Sequence, residues 1–80
     1  MPLHYFHVSN SQTILDQDGT DLADLTSIRK EAVRNARDLL NLGQTDNLWD
    51  GKPWKVWVTD KPNGAGRTVA TIEVSGASKA

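Results

Sequence analysis

The chain has 80 residues, 9 basic against 10 acidic side chains, a net charge of -1 and no cysteine. That length holds one small domain with a modest core, and the near-cancelling charge excludes a charge-driven disordered chain. The lack of cysteine excludes a disulfide framework, a thiolate nucleophile and Cys-ligated metal sites, and points to a reducing compartment. The opening Met1-Pro2-Leu3-His4 has no basic region followed by an apolar run, so no signal peptide is expected. Apolar stretches fall far below the roughly 20 residues that cross a bilayer, so a cytoplasmic protein with no membrane partner is expected.

In chain order, Leu3-His4-Tyr5-Phe6-His7-Val8 is aromatic and β-branched, as a strand requires, and Asn10-Ser11-Gln12 supplies a turn before a second short strand, Thr13-Ile14-Leu15. Asp18-Gly19 ends that strand with a residue at ease with positive φ. From Leu25 to Leu42 the apolar residues Leu25, Ile28, Ala32, Ala36, Leu39 and Leu40 recur at steps of three and four, which predicts an amphipathic helix. Asp24 is placed to cap its start and Gly43 to end its last turn. Gln44 to Pro53 reads as a loop. Trp54 leads a third strand, Lys55 to Thr59, and Pro62-Asn63-Gly64-Ala65-Gly66 turns the chain into a fourth, Thr68 to Val74. Residues 1–74 are therefore expected as a single α+β domain, and Ser75 to Ala80 as a flexible tail. The layout is ββαββ. A helix of about 17 residues, roughly 25 Å long, lies across one face of a four-stranded antiparallel sheet, with order 2-1-3-4 preferred.

The residues Tyr5-Phe6-His7-Val8, the Asp18-Gly19-x-Asp21-Leu22 turn, Asp24-Leu25 and the helix text Glu31-Ala32-x-x-x-Ala36-Arg37-x-Leu39-Leu40 resemble an uncharacterised family of short alphaproteobacterial proteins. The resemblance spans residues 4 to 74. It implies this fold and carries no activity. A looser similarity, of layout alone, is to antitoxins that neutralise small RNA-cleaving toxins; those proteins usually carry an extra DNA-binding segment, for which this chain has no room.

Sites of standard chemistry do not assemble. His4 and His7 lie three apart on a strand, on opposite faces, and cannot share a metal ion. Asp16, Asp18, Asp21 and Asp24 miss the calcium-loop register, since Gly19 falls at position 4 and Ser27 at position 12 counted from Asp16. They read as turn and cap residues. Gly64-Ala65-Gly66 leads into a strand, not into the helix a phosphate loop needs. Ser9, Ser11 and Ser27 sit in turn or cap contexts, and Glu31 and Glu73 are isolated from one another. No cofactor, metal or catalytic residue is expected, and the protein is not expected to be an enzyme. Trp49 is expected to act as a lid on the core edge.

Two surfaces remain. If Phe6, Val8, Trp54, Val56, Val58, Ala70, Ile72 and Val74 face the helix, alternation sends Tyr5, His7, Lys55, Trp57, Val69, Thr71 and Glu73 to the other side. One helix covers only one face, so Tyr5, His7 and Trp57 are expected together on an open surface, a setting enriched at interfaces. Arg29, Lys30, Arg34 and Arg37 form a basic strip on the helix, with Lys30, Arg34 and Arg37 on one side, partly offset by Glu31 and Asp38. The leading expectation is a non-catalytic domain that binds a protein, itself included as a homodimer, through the open face of Tyr5, His7, Lys55, Trp57, Thr71 and Glu73 or through an edge strand. The alternative is a nucleic-acid-binding or antitoxin-like regulatory module that uses Lys30, Arg34 and Arg37.

Overall fold

The computed structural model describes residues 2–10, 12–42, 48–49 and 51–78. Its elements are β1 (Leu3–Ser9), β2 (Thr13–Ile14), β3 (Thr20–Asp21), α1 (Leu25–Leu42), β4 (Trp54–Thr59), a 3-10 turn (Pro62–Gly64) and β5 (Thr68–Val74). The sheet is antiparallel with the path β2-β1-β4-β5. The expected four strands become five, because Thr20–Asp21 pairs with Leu3 and His4 on the same edge of β1 that carries β2 at its other end. Two residues in a polar stretch show no alternation that would announce a strand. What holds them is the next residue, Leu22, which packs against the core and donates its amide to the Pro2 carbonyl at 3.3 Å.

The helix starts where its cap predicts. Asp24 Oδ1 accepts the Ser27 amide at 2.7 Å, and the Asp24 carbonyl accepts the Ile28 amide at 3.1 Å. The first bond satisfies a donor that the first helical turn leaves free, and the second is the opening i→i−4 bond of the helix. The Ser27 amide, followed by the Ser27 side chain, holds the Asp24 carboxyl below the ordinary carboxylate range. The expected stop at Gly43 lies outside the described residues. No helix among the described residues is long and apolar enough to cross a membrane.

The core lies between one helix stripe and the centre of the sheet. Ile28, Ala32 and Ala36 meet Val56 and Val58, with Phe6, Val8, Leu39, Ala70 and Ile72 around them. The two alanines let the helix backbone approach β4, and each buried Val or Ile side chain contributes roughly 1.5–3 kcal/mol. Leu25, expected in this stripe, is 45% exposed at the helix start.

Val69 also departs from expectation. The β4–β5 register shifts between Val58 and Thr59, which pair with Ala70 and Thr68. Val69 is the extra residue of that bulge, and it packs against the core cluster instead of joining the outer face. Beyond β5, the Gly76 amide donates to the Leu48 carbonyl at 3.3 Å, and Gly76 lies against the Trp49 ring. Leu48 is the buried lid at this end, while Trp49 is largely exposed.

Candidate interaction surface

Alternation does place Tyr5, His7, Lys55, Trp57, Thr71 and Glu73 on the outer side of the sheet, but they do not form one open surface. Tyr5 and His7 are buried. This corrects the expected exposed aromatic cluster. The chain after β2 folds back over that end of the sheet, and the turn after β4 meets it there, the Asn63 amide donating to the Asp16 carbonyl at 3.1 Å.

Asp16 organises the cover. Its Oδ1 accepts the amides of Asp18 at 3.1 Å and Gly19 at 3.4 Å, closing a tight turn, while Oδ2 accepts the Phe6 amide at 3.1 Å. Burial pushes the Asp16 carboxyl up, but the amides of Phe6, Asp18 and Gly19, helped by His7, outweigh it and hold the group below its ordinary value. Gly19 is the residue this turn demands. Its φ is 77°, and a Cβ there would lie 2.8 Å from Tyr5 Cε2.

His7 joins the cover to the sheet. The Asp16 amide donates to Nδ1 at 2.9 Å, which fixes Nδ1 as an acceptor and leaves the neutral ring's proton on Nε2. Thr59 Oγ1, 2.8 Å from Nε2, accepts that proton's bond because its own hydroxyl donates to the Lys61 carbonyl at 2.6 Å. The three bonds run in one direction from loop to turn. Desolvation lowers the His7 pKa, against a smaller opposing pull from Asp16. Protonation at Nδ1 would break the bond from Asp16.

The rest of the outer face stays open. Trp57 is half-buried, stacked obliquely on His7 with ring centres 5.2 Å apart, and Lys55 and Glu73 form an ion pair at 3.7 Å across β4 and β5. Together with Thr71 and Thr13 they line a shallow hollow. Among the described residues no group of three His, Asp or Glu side chains is placed to hold a metal.

The two long edges of the sheet differ as well. Phe6 gives its amide to Asp16, so this amide points away from β4. In an antiparallel ladder, a residue's N–H and C=O point to the same side and alternate along the strand. On β1 the outward residues are therefore His4, Phe6 and Val8. His4 pairs with Thr20, Val8 pairs with Ile14, and the Asp16 carboxylate takes the Phe6 amide in the gap between them. Phe6 pairs with Val58, which thus turns its own groups toward Ala70. It follows that Ala70, Ile72 and Val74 bond to β4, whereas Thr71 and Glu73 direct their backbone groups out of the sheet. β5 ends the strand order, with no neighbour on that side among the described residues. Sequence reasoning named Thr71 and Glu73 for their side chains and missed that their backbone is the exposed feature; the alternation that would show it depends on the register.

On the helix, Arg29, Lys30, Arg34 and Arg37 are all exposed. None has a carboxylate at salt-bridge distance among the described residues, so Glu31 and Asp38 do not pair with them as expected.

No curated protein and no solved structure matches the chain significantly. A family model does, over residues 3–75, and the chain therefore belongs to the family described as Domain of unknown function (DUF6894).

Proposed function

We propose that this domain acts by protein–protein contact, without catalysis, through the outer edge of β5 and the adjoining open half of the sheet. The observation that carries the reading is the difference between the two edges. A strand edge with unpaired N–H and C=O groups is a template for another strand, and folded proteins normally cover or charge it. The β1 edge is covered down to the single amide of Phe6. The β5 run Thr68–Val74 contains no proline and one charge, Glu73, which Lys55 offsets. Trp57, Lys55 and Thr71 continue that edge into a surface a partner's side chains would cover.

The test compares wild type with Thr71→Pro, which removes an outward amide and leaves the β4 bonds of Ala70 and Ile72 in place. Binding of a partner chain, a second copy included, is expected to fall with a folded Thr71→Pro protein. Binding that is unchanged, or a wild-type chain that retains neither itself nor another protein, contradicts the reading.

A second reading is supported by the helix cations, none of which has a carboxylate at salt-bridge distance among the described residues. Lys30, Arg34 and Arg37, with Arg29 beside them, are free to meet phosphates, as a nucleic-acid-binding or antitoxin-like regulatory module requires. Binding to mixed oligonucleotides should then weaken steeply with salt and fall on Arg34→Ala or Arg37→Ala. No binding at low salt removes it.

A further inference from the structure

We propose that the occupant of the β5 edge is the β5 edge of a second copy, paired antiparallel about a two-fold axis at Thr71. This rests on the reading of β5 as an interaction edge and names its partner. Thr71 is the midpoint of Thr68–Val74. An axis there sets Thr71 against Thr71 and Ala70 against Ile72, so over Ala70–Ile72, clear of the bulge at Val69, residues whose backbone groups point the same way meet. That match is the condition for ladder bonds to form. Moving the axis to Ile72 would bring in Ser75 and Gly76, and Gly76 is already engaged by Leu48 and Trp49.

The chemistry of the strand is self-compatible. Its one charge, Glu73, lies off the axis in this register, and Lys55 neutralises it from the same chain at 3.7 Å. No like charges oppose. Thr, Val and Ile make up most of the run and favour cross-strand pairing.

The helix adds a second contact. The two-fold axis stands perpendicular to the joined sheet, so both helices lie on one face, flanking the seam. Between α1 and β5 runs a groove lined by Ala32, Val33, Val69, Ala70 and Ile72, with Thr71 and the charged Arg29 at its margin, and Val33 is 56% exposed. A ladder this short alone buries little surface, and Val33 with this groove supplies apolar area where the second copy approaches.

The cysteine-free chain allows a clean test. In the Thr71-centred register the two Thr71 Cα atoms lie about 5.5 Å apart, within disulfide range. Thr71→Cys should cross-link under mild oxidation roughly tenfold or more faster than Ala23→Cys, an exposed control between β3 and α1, because pairing raises the local thiol concentration. Sedimentation should show wild type moving with rising concentration toward twice its 8.8 kDa mass, and Thr71→Pro remaining a monomer. Cross-linking no faster than the control overturns the pairing, as does a wild type that stays monomeric at the highest concentration reached. A monomer that still binds another protein in a Thr71-dependent way overturns the self-pairing alone; one with no Thr71-dependent partner overturns the interaction reading too.

Discussion

The two sides of this small sheet use the same kind of strand in opposite ways. At β1 the outward residues His4 and Val8 pair with short strands and the Phe6 amide between them goes to Asp16, and the outer face above is sealed by a loop and a turn joined through His7. At β5 the outward groups of Thr71 and Glu73 have no strand beside them among the described residues, and the face next to them carries an exposed ion pair. Both strands are about equally apolar, so hydrophobicity does not explain the difference. One aspartate does, because Asp16 reaches the amide that two very short strands leave between them. An edge closed with that much specific bonding is a structural boundary, and an edge left open in the same molecule is a candidate contact surface.

The largest effect should come from removing that aspartate. Asp16→Ala leaves the amides of Phe6, Asp18 and Gly19 without their acceptor, and the loss should reach about 3 kcal/mol in denaturant unfolding, since each bond to a charged acceptor is worth roughly 1.5–3 kcal/mol and water replaces part of it. It should also reopen the β1 edge. The wild type should lose the Asp16 contribution in acid. Because the folded carboxyl sits below its ordinary 3.8, the stabilisation is complete above that value and disappears as pH falls through the lower folded one. A Tm series from pH 5 downward checks this, and Asp16→Asn should flatten it.

His7→Phe should cost about 2 kcal/mol by leaving the Asp16 amide and the Thr59 hydroxyl without their shared partner. Its signature is again in pH. The folded His7 pKa lies below 6.5, so folding excludes a proton that the unfolded chain takes up, and wild-type stability should start to fall as pH drops below 6.5. The Phe variant should lack that limb.

Gly19→Ala should cost roughly 1–2 kcal/mol, from a left-handed backbone and a Cβ pressed into the Tyr5 ring. On the open side the expectation is the reverse. Glu73→Gln breaks an ion pair whose side chains are 43% and 58% exposed, and thermal unfolding should move by no more than about 0.5 kcal/mol. A large loss there would mean the open half is built for stability after all.

What was legible in the sequence was local. The helix, its Asp24 cap and the outward alternation of Tyr5, His7 and Trp57 follow from spacing and from bonds between near neighbours. The cover was not legible, because Asp16 shows only a turn residue until the β1 register puts the Phe6 amide in front of it. Val69 was misplaced for a similar reason, since one extra residue in a bulge changes the face it occupies. The two-residue β3 is held by Leu22 in the core, a contact that no pattern in Thr20-Asp21 signals.

The central claim is the contrast between the edges, and amide hydrogen exchange read residue by residue tests it most directly. In dilute protein the Phe6 amide should be strongly protected while those of Thr71 and Glu73 exchange rapidly, and raising the concentration should slow the latter two alone. Protection of Thr71 and Glu73 equal to that of Phe6 in dilute, monomeric protein would contradict the account.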